Sequence, residues 1–147
     1  GAVTIGTYDG ANVEIINQIG EDNFFLFGMK DYEVENLWRT GYSSIQYYQK
    51  SLKLRKIIDF LNKGIPSKSF ESISRYLLGD SQVGDPYMCF ADFDSYLEVH
   101  KKASGIYFSD KRKWNQMSLM NIASAGFFSS DRTIREYANN IWNIEPM

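Results

Sequence analysis

The first fourteen residues, G-A-V-T-I-G-T-Y-D-G-A-N-V-E, constrain the fold more than any other part of the chain. A β-branched run ends at Gly6. A carboxylate (Asp9), a second glycine (Gly10) and an asparagine (Asn12) follow, and an amphipathic stretch begins at Val13. This is a strand that stops, a tight turn and a helix that starts. Ala2 to Gly6 reads as a short buried strand, and Asn12 to Gln18 as a short helix with Gly20 placed as its C′ glycine. Asn23 to Phe27, with its F-F-L-F run, reads as a second strand bounded by Asn23 and Gly28. Strand–helix–strand at this spacing is the rhythm of a doubly wound sheet. In such sheets ligands sit beyond the carboxyl ends of the strands, where this turn lies. Two strands do not make a stable sheet alone. The first one therefore needs neighbours from other sequence, and the chain reads as the tail of something larger.

After Gly28 the apolar period becomes helical. Val34, Leu37 and Trp38 fall at i, i+3, i+4, and Leu54, Ile57, Ile58 and Leu61 form a clear stripe. Gly64-Ile65-Pro66 ends that helix, because proline disfavours helical geometry in the residue before it. Ile73, Tyr76 and Leu77 mark a short helix, and Gly79 to Pro86 reads as a loop. Phe93, Tyr96, Leu97, His100 and Tyr107 share one helical face. Trp114 to Ala125 is apolar nearly all round, which predicts a buried helix, ended by Gly126 in a left-handed cap. Ser129, Ser130 and Asp131 supply N-cap candidates for a last helix. Its apolar positions are Ile134, Tyr137, Ala138, Ile141 and Trp142.

The 147 residues fit one domain or one lobe of a larger one. A formal net charge of -2 argues against a nucleic-acid binder, which would show a basic face. The one basic run, Lys111-Arg112-Lys113, is read as a solvated helix face. No apolar run approaches the roughly 20 residues that span a bilayer, and no secretory signal is present. A single cysteine forbids an internal disulfide and fits a reducing, cytoplasmic setting. One Cys and one His do not make a Cys/His zinc site.

Among residues with reactive chemistry, Asp9 is the sharpest. A carboxylate just past a strand end can act as a base or hold a sugar hydroxyl. The structural alternative is a turn in which the side chain bonds nearby backbone N–H groups, and that reading is preferred. Asn12 is placed to cap the helix from Val13, and Glu14 in its first turn suits the helix dipole. Gly6 and Gly10 do not spell G-x-G-x-x-G, so a nucleotide-binding half-domain has little support. His100, flanked by Lys101 and Lys102, reads as a hydrogen-bonded boundary histidine. Cys89, within Tyr87-Met88-Cys89-Phe90, reads as a buried inert thiol. Ser129 and Ser130 lack a nucleophile elbow and read as caps. From residues alone, the chain is an α/β tail with no complete catalytic set.

Three stretches together resemble the C-terminal end of the α-glucan phosphorylases. They are G-A-V-T-I-G-T-Y-D-G-A-N-V-E-I (Gly1 to Ile15), E-D-N-F-F-L-F-G (Glu21 to Gly28) and W-N-Q-M-S-L-M-N-I-A-S-A-G-F-F-S-S-D-R-T-I-R-E-Y-A-N-N-I-W (Trp114 to Trp142). Weaker echoes, G-Y-S-S-I-Q-Y-Y and D-P-Y-M-C-F-A-D-F-D-S-Y, lie between them. The resemblance covers essentially the whole chain, in order. It implies the C-terminal part of a Rossmann-like domain of the type-B glycosyltransferase fold: α/β, helix-dominated, with about two short strands near the N-terminus. The expected organisation is a single segment, 1–147, of the cofactor-bearing domain, with strand–turn–helix–strand over 1–28 and helices over 29–147.

The resemblance also implies a parent enzyme that cleaves α-1,4-glucans with inorganic phosphate to glucose 1-phosphate, retaining configuration. Its cofactor is pyridoxal phosphate on a Schiff-base lysine, and the cofactor's phosphate group does the acid/base work. The parent is expected to be a cytoplasmic homodimer with no nucleic-acid or membrane partner. In the family that lysine lies in an S-G-T-G-N-M-K segment a few residues before N-G-A-L, which Gly1-Ala2-Val3 matches here. The expectation is that this chain starts just downstream of the lysine. No catalytic, cofactor-binding or metal-binding residue is therefore assigned to any position, and Lys30 and Lys53 sit in the wrong context to serve. The segment is expected to be inactive alone and to form the floor under the active site, with Asp9 in a supporting role. Phe127 departs from the lysine common in the family and is expected to pack back on Ile122. The alternative is a self-standing glucan- or protein-binding module derived from a phosphorylase tail.

Overall fold

The computed structural model describes residues 2–79 and 83–144. The expected loop from Gly79 to Pro86 lies partly outside them. Two parallel strands, β1 (Ile5–Gly6) and β2 (Phe25–Leu26), pair in register Ile5 with Phe25 and Gly6 with Leu26. Eight helices accompany them among the described residues: α1 (Gly10–Ile19), α2 (Asp31–Thr40), α3 (Ser44–Lys50), α4 (Leu52–Lys63), α5 (Glu71–Leu78), α6 (Cys89–Ser109), α7 (Lys111–Ser124) and α8 (Ser130–Tyr137). One-turn 3-10 segments occupy Glu21–Asn23 and Ala125–Phe128, and a π-helical turn, Ala138–Trp142, continues α8.

The chain divides into two compact units. The first comprises residues 1–26 and 99–147 and contains both strands. Phe25 of β2 is buried with Ala103 and Met117, and Val3, Ile5, Val99, Ile106 and Trp114 pack around them. Phe25 and Trp114 stack with centroids 6.2 Å apart. Beside this, Ile16 and Ile19 of α1 are buried with Phe24. Asn121 of α7 donates to the Asn23 carbonyl (3.2 Å), tying the helix to the turn before β2.

The second unit, residues 27–98, is helical. Its core is Leu54 and Ile58 of α4 against Phe90, ringed by Tyr47, Tyr48, Leu61, Leu77, Leu78 and Phe93. The predicted α4 stripe delivers two of these buried residues, and Ser51 caps the helix by accepting from Leu54 N–H at 3.3 Å. Gly84 must be glycine, because a Cβ there would sit 2.5 Å from Ser44 Oγ and 2.8 Å from the Leu77 carbonyl.

Several local expectations change. β1 is shorter than Ala2–Gly6. The helix after it starts at Gly10, not Val13, so Asn12 is inside it and Glu14 lies beyond its first turn. α7 is not a buried helix: only Met117 is buried, while Leu119, Met120 and Ile122 are exposed. Its composition fills one contact face and leaves apolar side chains on others. Gly126 is not a left-handed cap either, because the chain passes from α7 into the 3-10 turn Ala125–Phe128. Phe127 faces Arg132 and Phe128 in the described contacts. Ser129 does cap α8, accepting from Arg132 N–H at 3.3 Å.

Candidate functional site

The turn from β1 into α1 is built by three residues. Gly6 ends the strand where no side chain fits: a Cβ would lie 2.7 Å from Asn12 Nδ2 and 3.2 Å from Phe24 Cζ. Gly10 takes φ +47, in the left-handed region open to glycine. Asn12 Nδ2 donates to the Thr7 carbonyl at 2.9 Å, and its own N–H donates to the Asp9 carbonyl at 3.0 Å. The amide side chain that the sequence marks as a helix cap instead locks the strand exit from inside the first turn.

Asp9 occupies the N-cap position in extended geometry, with no side-chain cap bond. Its carboxylate is exposed and is not spent on the turn, contrary to the preferred sequence reading. The physical reason is local. The Asn12 N–H, a donor that an N-cap carboxylate would accept from, already donates to the Asp9 main-chain carbonyl.

The second constellation escapes sequence reading. Asp85 is buried, with φ +51, and its carboxylate accepts three hydrogen bonds. Tyr42 Oη donates at 2.6 Å, Cys89 N–H at 3.0 Å and Phe90 N–H at 2.7 Å. The last two are orphan donors at the start of α6, so Asp85 caps the helix from outside it. Burial, then the hydrogen bond to Asp85, pushes the Tyr42 phenol well above its ordinary value. An Asp-Pro pair shortly before a helix is a local signal for such a cap. The Tyr42 half, 43 residues away, has none.

Cys89 is exposed rather than buried. Partial desolvation, then the nearby Asp85 carboxylate, pushes its thiol up, the wrong direction for a nucleophile. Asp92, on the next turn, accepts from Met29 N–H at 2.9 Å while Ser95 Oγ accepts from Gly28 N–H at 3.0 Å. Together they pin the segment that follows β2. Desolvation raises the Asp92 carboxyl, the Met29 hydrogen bond opposes the rise, and Asp85 and Glu33 add to it. His100 is exposed on α6, and Ser129 serves as a cap.

A Schiff-base cofactor needs a lysine that can be desolvated and an anion cradle for its phosphate. Every lysine in the chain is exposed. Lys53 pairs with Asp94 at 2.6 Å, and Lys111 lies over the Tyr107 ring at 3.4 Å. A cleft of about 500 Å³ beside Lys50 and Lys53 also holds Asp94, whose charge opposes a phosphate. These residues do not fit pyridoxal phosphate. No group of three His, Cys, Asp or Glu side chains is placed to hold a metal among the described residues. Among those residues, no helix is long and apolar enough to cross a membrane.

Comparison with known proteins places the chain in context. A family model described as carbohydrate phosphorylase matches residues 1–144. The glycogen phosphorylase of Haemophilus influenzae is 46% identical over 147 residues, covering 100% of this chain and 18% of the relative. That of Synechocystis sp. is 45% identical over 148 residues, covering 100% and 17%. The muscle form from Rattus norvegicus is 43% identical over 146 residues, covering 99% and 17%. The chain thus spans less than a fifth of the length of these relatives.

Proposed function

The chain belongs to the carbohydrate phosphorylase family, and from that premise we propose that it is the C-terminal portion of the cofactor-bearing domain of an α-1,4-glucan phosphorylase. The observation that carries the reading is identity near 45% along the whole chain to glycogen phosphorylases. The parent reaction in this proposal is glucan plus inorganic phosphate to glucose 1-phosphate, with retention. The parent uses pyridoxal phosphate on a lysine N-terminal to these residues, and it is a cytoplasmic homodimer.

Within that proposal this segment is scaffold and carries no catalytic or cofactor-binding residue. Gly6 and Asn12 fix where β1 ends and how α1 begins. A displacement of about 1 Å in a catalytic framework can cost a large share of the rate. Asp9 stands free at the ligand side of the strand pair, where it can support groups contributed by the rest of the polypeptide. Asp85 and Asp92 hold the start of α6 and the segment after β2. The exposed lysines have no part in cofactor attachment.

The test adds pyridoxal phosphate to the purified chain, reduces with borohydride and maps the product by mass spectrometry. Scattered substoichiometric labelling of surface lysines is expected. Stoichiometric labelling of one lysine contradicts the assignment of the anchor to sequence outside this chain.

A further inference from the structure

The exit from β1 is reactive as well as structural. Asp9 is the one aspartate of the chain followed by glycine, and no asparagine is. We propose that Asp9–Gly10 is a modification site, where the main chain isomerises through a cyclic imide to isoaspartate. Water is the co-reactant, and the inference does not depend on the phosphorylase reading.

The first step is a ring closure within the chain. The Gly10 nitrogen attacks Cγ of the Asp9 carboxyl group. The N–Cγ bond forms, a Cγ–O bond breaks, and the oxygen leaves with the amide proton as water. Water then adds to one of the two ring carbonyls. Opening at the Cγ–N bond restores aspartate. Opening between the Asp9 main-chain carbonyl carbon and the Gly10 nitrogen leaves the chain running through Cβ and Cγ, with a free α-carboxylate. The net change is an isomerisation, and nothing is oxidised or reduced.

The geometry of the turn leaves both reacting groups unspent. The Asp9 carboxylate is exposed, caps nothing and bonds no other group among the described residues. The Gly10 N–H is an orphan donor at the start of α1 and makes no hydrogen bond among those residues either. Gly10 has no side chain to hinder the approach, and the space beside its Cα is open to at least 4 Å. Asp9 sits at φ -146 and ψ 164, so closure needs rotation about its Cα–C bond. That rotation breaks the 3.0 Å bond from Asn12 N–H to the Asp9 carbonyl, in the terminal turn of a helix, where opening costs least. Other aspartates lack this combination. Asp92, Asp94 and Asp110 are engaged by Met29, Lys53 and Lys113. Asp85 precedes Pro86, which has no amide hydrogen to lose.

The product alters the strand exit directly. Isoaspartate lengthens the main chain by one carbon between Cα of residue 9 and the Gly10 nitrogen. It also removes the main-chain carbonyl that receives the Asn12 N–H. The Asn12 side chain is then shifted from its 2.9 Å contact with the Thr7 carbonyl, and the lock between β1 and α1 loosens.

The test holds the purified 147-residue chain at neutral pH and physiological temperature for weeks, beside the synthetic peptide Gly1–Glu14. A glutamate-specific protease releases the same peptide from the chain, and electron-transfer fragmentation distinguishes isoaspartate from aspartate. Isoaspartate should accumulate at residue 9 at a rate within about tenfold of the free peptide, because a terminal turn opens readily. Asp9→Glu, whose ring would be six-membered, should stay unmodified. Asp9→Asn, whose amide nitrogen leaves as ammonia, should close the same ring faster. The isoaspartate-bearing fraction should melt below the unmodified chain. A chain that keeps Asp9 intact while the peptide converts overturns the proposal. So does persistence of the amide in Asp9→Asn, or isoaspartate appearing equally at Asp22 or Asp59. An isoaspartate fraction with an unchanged melting temperature overturns the assigned effect on the strand exit.

Discussion

Gly6 has no room for a side chain, and that makes it the most sensitive position of the strand exit. In Gly6→Ala the new methyl would press on Asn12 Nδ2 and the Phe24 ring. The expected cost is about 1–3 kcal/mol, read as a lower urea midpoint with an unchanged slope. Asp85 is more costly still. Asp85→Ala strands the Tyr42 hydroxyl and two backbone N–H groups in a buried site. A loss of about 3 kcal/mol is expected, against about 1 kcal/mol for Tyr42→Phe, which removes a single donor. Tyr42 also gives a pH signature. Its phenol is raised in the folded state, so its contribution is complete below the ordinary tyrosine value of about 10 and lost as pH climbs through the higher folded value. At pH 11, above the ordinary tyrosine value, Tyr42 should stay protonated, distinct from a free tyrosine, so wild type and Tyr42→Phe should show equal tyrosinate absorbance. Loss of that distinction in Asp85→Asn would confirm the carboxylate's share, and its persistence would assign the shift to burial alone.

The second half of the fold turns on α6 and its hold on the segment after β2. Asp92 accepts from Met29 N–H but is raised chiefly by desolvation, so its protonated form is relatively favoured in the folded state. Its contribution is therefore present below the ordinary carboxyl range and lost as pH rises through and above it. Asp92→Asn keeps an acceptor for Met29 and removes the desolvated charge. The variant should match or exceed the wild-type melting temperature at pH 7, with the difference shrinking toward pH 4. A variant less stable at pH 7 would show that the charge is needed. These elements were unevenly legible in the sequence. The α4 stripe and the Ser129 cap are local, within one or two helical turns, and sequence spacing captures them. The Asp85–Tyr42 bond joins residues far apart in sequence, where no spacing rule operates. The apolar composition of Trp114 to Ala125 predicted a buried helix and was misleading on α7, because composition does not say what covers each face: Met117 is buried and Trp114 packs on Phe25, while Leu119, Met120 and Ile122 are exposed. At the strand exit, sequence identified Asp9 and Asn12 but exchanged their tasks, since both can serve a turn and only the three-dimensional approach to Gly6 and Thr7 decides.

Taken whole, the chain leaves much apolar surface uncovered. Ile134, Tyr137, Ile141 and Trp142 are 55%, 46%, 62% and 52% exposed, and Leu119 and Ile122 are 62% and 57% exposed. Contiguous surfaces of this kind mark contacts with other polypeptide. Light scattering on the isolated chain should report a mass above that of the monomer, and Ile141→Lys combined with Ile134→Lys should reduce it. A monomer at all concentrations would contradict that expectation. The central claim, that this chain is working scaffold of a glucan phosphorylase, is tested most directly by exchange. Residues 2–144 replace the matching segment of the Haemophilus influenzae glycogen phosphorylase, and glucose 1-phosphate release from maltodextrin and phosphate is measured. The account predicts release by the chimera within about tenfold of the unmodified enzyme. A chimera that folds and carries its cofactor yet releases no glucose 1-phosphate would contradict it.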